Sequence, residues 1–150
     1  MRLAGVPRVR LAARMVWLAV WRKPAPAARL DRMKVLIVDD HPSFRASARR
    51  MLEAEGFEVV AEAGTGADAL LAAEAWKPEL VLLDVHLPDI QGFDVAARLQ
   101  MNGSAPAVVL TSSHEASDFG ALIETSGARG FIPKSELSGE ALRRILDERA

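Results

Sequence analysis

From Lys34 onward, hydrophobic and polar positions follow two alternating rhythms. Short apolar runs of strand length, Val35–Val38, Leu80–Leu83, Ala107–Leu110 and Gly130–Ile132, are separated by longer stretches with helical spacing. Such unbroken runs predict strands buried on both faces. Phe57–Ala63 alternates instead, which predicts an edge strand with Phe57, Val59 and Ala61 on one side and Glu58 and Glu62 on the other. The first helix is predicted over 42–55: Pro42 suits its first turn, Phe44, Met51 and Leu52 form its apolar stripe, Arg49 and Arg50 face away, and Gly56 stops it. Further helices are predicted from Ala67 to Trp76, before Pro78, and from Phe93 to Met101, ended by Asn102-Gly103. A fourth covers Asp118 to Thr125 with Phe119, Leu122 and Ile123 inward, and a fifth, capped by Ser138, packs through Leu142, Ile145 and Leu146. Five strands alternating with five helices predict an α/β fold, a doubly wound parallel sheet with helices on both faces and right-handed crossovers.

Four of the runs end in polar residues suited to phosphoryl chemistry: Asp39-Asp40, Asp84, Thr111 and Lys134. Parallel strands would deliver all of them to the carboxyl edge of the sheet, where open α/β folds keep their ligands. Adjacent carboxylates repel, and each costs desolvation unless a cation joins them. A divalent ion relieves both problems, and Mg²⁺ suits a site with few protein ligands and several retained waters. Taken singly, Asp39-Asp40 would pass as a solvated turn, Thr111 as a strand-end hydroxyl and Lys134 as a snorkelling surface lysine. Asp84, on a strand expected beside the first, makes convergence the stronger account. One carboxylate would then act as nucleophile toward a phosphoryl group whose oxygens are met by Thr111 and Lys134.

Half of the 150 residues are hydrophobic, enough for one domain with a modest extension. There is no Cys, which excludes disulfides, thiolate metal sites and cysteine nucleophiles, and the three isolated His residues form no H-x-x-x-H pattern. The net charge of −1 hides a split: residues 1–32 hold eight Lys/Arg against one acid, whereas 33–150 hold 11 against 19. The acidic part lacks the basic surplus of a nucleic-acid binder, so no direct nucleic-acid partner is expected. Residues 1–32 are expected to form a basic, disordered extension, with Pro24–Ala28 as a linker and Met33 as an alternative initiator. Two other readings compete there. One is a secretory signal with Ala25-Pro26-Ala27 as cleavage site. The other is a surface helix with Leu11, Met15 and Leu18 on one stripe and Trp17 and Trp21 nearby. The longest uncharged run in this region, Met15 to Trp21, is seven residues, far short of the roughly 18 that suggest a membrane span.

Residues 33–150 resemble a receiver domain of the two-component response-regulator family. The resemblance rests on Val38-Asp39-Asp40-His41-Pro42, on Leu83-Asp84-Val85-His86-Leu87-Pro88 with Gly92 following, on Leu110-Thr111-Ser112-Ser113, and on Gly130-Phe131-Ile132-Pro133-Lys134. It implies a flavodoxin-like sheet of strand order 2-1-3-4-5. It also implies that Asp84 accepts a phosphoryl group from a sensor histidine kinase or phosphotransfer protein. Mg²⁺ would be held by Asp40 and Asp84, by Asp39 through water, and by the main-chain carbonyl of His86. Thr111 and Lys134 would bind the phosphoryl group, and Phe131 would be the aromatic switch that turns inward as Thr111 moves. Such a protein is cytoplasmic, is not an enzyme beyond its own phosphorylation and dephosphorylation, and acts on a downstream protein target, in some cases as a phosphorylation-dependent homodimer.

Lys134-Ser135-Glu136-Leu137 resembles receivers that usually precede a helix-turn-helix DNA-binding domain; the sequence stops at Ala150, so direct transcriptional output is not expected. Ser135 stands where many receivers place a Pro after the lysine. Two alternatives are a phosphate-independent pseudo-receiver, which the intact Asp40, Asp84, Thr111 and Lys134 oppose, and a Mg²⁺-dependent phosphatase, which usually carries a second carboxylate where His86 stands. His86 and Ser113 occupy the family's two variable positions beside the phosphoryl group, while His41 and His114 are expected to be plain loop residues. Replacing His86 by Ala is expected to change the lifetime of the phosphorylated form more than folding; equal half-lives in the two proteins would rule this out.

Overall fold

The computed structural model describes residues 32–101 and 105–148. The readings made for residues 1–31, and the helix stop at Asn102-Gly103, lie outside the described residues. The elements are β1 (Lys34–Val38), α1 (Pro42–Ala54), β2 (Glu58–Ala63), α2 (Gly66–Trp76), β3 (Leu80–Asp84), α3 (Gly92–Leu99), β4 (Ala107–Ser112), α4 (Leu122–Thr125), β5 (Gly130–Pro133) and α5 (Gly139–Glu148), with single 3₁₀ turns at Ala116–Asp118 and Lys134–Glu136. The strands form one parallel sheet in the order β2-β1-β3-β4-β5. This is the doubly wound, flavodoxin-like arrangement expected from the sequence.

The unbroken apolar runs serve two cores at once. Val35, Ile37, Leu80, Leu82, Val109 and Ile132 face one side, against Ala48 and Leu52 of α1 and Leu142 and Leu146 of α5. Leu36, Val38, Val81, Leu83, Val108 and Leu110 face the other, against Ala69 of α2 and Val95, Ala96 and Leu99 of α3. Each fully buried aliphatic side chain contributes about 1.5–3 kcal/mol, so the central strands anchor both layers. Local signals fix the helix starts. Pro42 opens α1, Thr65 Oγ1 accepts from Asp68 N at 3.0 Å to cap α2, and Ser138 Oγ accepts from Ala141 N at 3.0 Å ahead of α5.

Two expectations are corrected. In β2, Phe57 and Val59 join the α1–α5 core, but Ala61 and Ala63 join the α2–α3 core. The register explains the change: Val35 pairs with Val59 but Leu36 pairs with Ala61, so Val60 is an extra residue and the pleat inverts there. Glu62 therefore lies on the α1 side, where Arg45 Nε and Arg49 Nε reach it at 3.0 and 2.7 Å. The fourth helix is also shorter than expected. A 3₁₀ turn is followed by Gly120 at φ +59, a left-handed position that breaks the helical path, and only Leu122–Thr125 is helical. Phe119 and Ile123 pack inward as expected, but Leu122 is 52% exposed and points away.

Gly92 sets how closely α3 approaches the end of β3. Its N–H donates to Val85 O at 2.7 Å, and a Cβ there would collide with the Asp84 carbonyl oxygen and come within 2.8 Å of Val85 Cα. Both obstacles are backbone and cannot rotate aside. Gly92→Ala is expected to lower stability by about 1–3 kcal/mol in urea denaturation; an unchanged midpoint would refute this tight contact.

Candidate functional site

Strand alternation places the polar strand ends on one face. Ile37, Leu82, Val109 and Ile132 face α1 and α5. Counting on by two reaches Asp39, Asp84, Thr111 and Lys134, which therefore share that face at the carboxyl edge. Asp84 and Thr111 are direct register partners. Asp39 follows β1 by one residue, and Lys134 follows β5 by one. The period of two thus gathers residues 95 positions apart in sequence.

Their contacts confirm the convergence. Lys134 Nζ lies 2.6 Å from Asp39 Oδ2 and 3.3 Å from Asp84 Oδ2, and sits 4.6 Å from the ring centroid of Phe44 on α1. Asp39 is fully buried, Asp84 and Thr111 nearly so, whereas the Asp40 side chain is 36% exposed at the mouth. Asp39 is held at every turn. Its N–H donates to Ala63 O at 3.0 Å, its carbonyl accepts from Arg45 Nη1 at 2.7 Å, and its Oδ1 accepts from His41 N at 2.8 Å. Asp84 Oδ1 accepts from His86 N at 3.2 Å.

Burial pushes the Asp84 carboxyl above its ordinary value, and the neighbouring Asp39 charge pushes it further; Lys134 offsets only part of this. Burial opposes the charge on Lys134, but its close contact with Asp39 and the Asp84 and Asp39 charges prevail, so its ammonium is held more firmly than usual. Among the described residues, two buried side-chain atoms lack a hydrogen bond: Thr111 Oγ1, and Asp39 Oδ2, whose approach to Lys134 is an ion pair without hydrogen-bond alignment. Unsatisfied buried oxygens beside a cluster of carboxylates fit a hard divalent cation and an oxygen-rich anion. Side-chain atoms of Asp39, Asp40, His41 and Asp84 lie within 4.8 Å of one another.

Phe131 belongs to the other face. It pairs in register with Leu110 and packs toward α3, its ring 5.7 Å from that of Phe119. Phe119 also meets Phe93 at 5.5 Å, His86 at 5.8 Å and His114 at 6.3 Å, while His86 and His114 stand edge to face at 5.3 Å. An aromatic cluster thus joins the loop after Asp84, the loop after β4, α3 and β5.

Several contributors were missed at the sequence level. His41 turns back onto Asp39 and Asp40, its Nδ1 3.1 Å from an oxygen of each, a placement its position directly after the acidic pair would have suggested. His114 joins the aromatic cluster, a contact without local sequence signal. Asp89 accepts from Gly66 N at 2.7 Å and Ala67 N at 3.0 Å, tying the loop after β3 to the start of α2, and these backbone bonds hold its carboxyl below the ordinary range.

A parallel five-stranded sheet of this order, with an acidic cluster at its carboxyl edge, defines a flavodoxin-like fold. The family model for the response regulator receiver domain matches residues 35–147, and the chain belongs to that family. It is 43% identical over 103 residues to the positive transcription regulator BvgA of Bordetella pertussis, covering 69% of this chain and 49% of that one. It is 41% identical over 115 residues to the nitrate/nitrite response regulator NarP of Escherichia coli, covering 73% and 53%. The chain thus spans about half the length of the curated relatives it matches. Among solved structures it resembles the receiver domain of the response regulator NarL from Mycobacterium tuberculosis, with a TM-score of 0.69 and 32% identity over 77% of this chain and 94% of that one. The chain is therefore a signalling domain of two-component systems, and no helix among the described residues is long and apolar enough to cross a membrane.

The raised Asp84 carboxyl has a consequence for stability. The folded chain holds this proton more tightly than the unfolded chain does. The group's contribution is therefore present below the ordinary carboxylate range and is lost as pH rises through the raised value. Without divalent ions, Asp84→Asn is expected to raise the urea midpoint at neutral pH, and the gain should shrink as the pH approaches the ordinary carboxylate range. An unchanged or lower midpoint at neutral pH would contradict this.

Proposed function

We propose that Asp84 is the phosphoryl acceptor of a phosphorylation-dependent signalling switch. The observation that carries this is the set of four strand-end groups on one face, with Thr111 Oγ1 buried and unpartnered beside Asp84. The donor is the phosphohistidine of a sensor histidine kinase or phosphotransfer protein. An Asp84 carboxylate oxygen attacks the phosphorus, the P–N bond breaks, and the ring nitrogen of the donor takes a proton as the aspartyl phosphate forms. Asp40, Asp84, Asp39 and the His86 carbonyl would hold Mg²⁺, which when bound offsets charge on the phosphoryl oxygens. Lys134 already pairs with Asp84 and stays protonated, so it follows the phosphoryl group as a cation.

Phosphorylation replaces one carboxylate with a group of about −1.5 to −2 charge. Thr111 Oγ1 then has an acceptor for its hydroxyl, and its movement alters the space beneath Phe131 on the neighbouring strand. Phe131 rests on Phe119, so an inward turn of its ring repacks the loop after β4 together with α4. The phosphoryl group favours a repacked state that the chain already samples. The output is a change in protein contacts at the surface of α4, β5 and α5, with a downstream protein or with a second copy of the chain. A pseudo-receiver would have no use for an intact Asp84–Thr111–Lys134 set, and a phosphatase would need a second carboxylate at His86.

The test is to incubate the full chain with acetyl phosphate and Mg²⁺ and to follow its intact mass beside Asp84→Ala. One labile phosphoryl group that requires Mg²⁺ and is absent from Asp84→Ala is the expected result. No addition to the wild type, together with no binding of beryllofluoride, would overturn the proposal in favour of a phosphate-independent module.

A further inference from the structure

Among the described residues, the His41 ring makes its polar contacts with the acidic pair alone, including a hydrogen bond with Asp39 Oδ1. The residue occupies the N-cap of α1, yet its side chain makes no capping hydrogen bond, and Pro42 already opens the helix. Instead its ring lies back over the acidic pair, with Nδ1 3.1 Å from Asp39 Oδ1 and 3.1 Å from Asp40 Oδ1. Asp39, Asp40, His41 and Asp84 can each offer one ligand atom, and those four atoms fall within 4.8 Å of one another. Ligands on opposite sides of one divalent ion are roughly 4–5 Å apart, so a single ion can take all four. Fully buried Asp39 adds a second observation: its Oδ2 is paired with Lys134 but has no aligned hydrogen bond, which leaves it able to take a further cation.

We infer that His41 contributes an imidazole nitrogen to the cation centre, making it a mixed nitrogen–oxygen site. Such a site favours first-row transition ions such as Co²⁺ over Mg²⁺. The inference rests on the cation centre of the proposed function and adds to it the class of ion preferred. The chemistry is that of ligand softness. Carboxylate and carbonyl oxygens suit Mg²⁺, which gains little from imidazole, whereas Co²⁺ binds imidazole well and stands higher in the affinity series. The side chain of His41 is 65% exposed, so the ring can adjust to an ion without disturbing either core.

The experiment is calorimetric titration of the full, tag-free chain with MgCl₂ and separately with CoCl₂ at neutral pH, in wild type, His41→Asn and His114→Asn. Asn is a preferred N-cap residue and keeps α1 in place, and it offers only a hard oxygen where the nitrogen stood. His41→Asn is expected to weaken Co²⁺ binding by about tenfold or more while Mg²⁺ binding stays within about twofold. The visible band of bound Co²⁺ should move to longer wavelength in that variant. His114→Asn, which alters an exposed histidine outside the acidic cluster, should change neither. Equal losses for both ions, or an unchanged Co²⁺ affinity and spectrum, would overturn the assignment of His41 while leaving the cation centre standing. Failure of the wild type to bind either ion would overturn both.

Discussion

Two carboxylates buried side by side at the end of a hydrophobic sheet are the constraint on which the rest of this structure depends. Asp39 and Asp84 stand on adjacent central strands, are removed from solvent, and repel one another. A low-dielectric setting magnifies that repulsion, which a nearby cation or a retained proton must relieve. Lys134 supplies the cation, brought from the far edge strand and steadied by the ring of Phe44. The arrangement is compensated but not satisfied: one lysine serves two acids, and Thr111 Oγ1 remains without a partner. The site is thereby prepared to accept both further positive charge and a charged oxygen cluster.

The two faces of the sheet divide the labour. Period two sends Asp39, Asp84, Thr111 and Lys134 to the α1–α5 side and Phe131 to the other, where the aromatic cluster around Phe119 collects contacts from four segments. Thr111 and Phe131 stand on neighbouring hydrogen-bonded strands. His86 belongs to both neighbourhoods, its amide on Asp84 and its ring against Phe119 and His114. In the proposed switch no long chain of couplings is needed, because the acidic cluster and Phe131 lie on opposite sides of one sheet edge.

Much of this was legible in the sequence because the strong signals were local. Unbroken apolar runs ending in Asp, Thr and Lys gave the strand positions, their burial and the candidate site, and the helices were marked by Pro42 for α1, by the stretch Ala67 to Trp76 before Pro78 for α2, and by Ser138 for α5. What stayed hidden depends on contacts between distant segments. The inversion at Val60 arises from pairing with β1, and no residue type in β2 announces it. The brevity of α4 turns on Gly120 adopting a left-handed conformation, although a glycine inside a helical pattern is often tolerated. The ring of His41 settles on the acidic pair because the turn into α1 folds it back, whereas His114 is placed only by the meeting of two loops and a helix.

The extra residue in β2 has a reach beyond local geometry. By inverting the pleat it delivers Glu62 to Arg45 and Arg49, so one free margin of the sheet is irregular and ionic. The opposite margin is the four-residue β5, which finishes at a proline without an amide hydrogen. Neither rim offers the long regular row of unpaired amides and carbonyls that templates strand addition. Among the described residues, this weakens the template for cross-β pairing between copies of the chain.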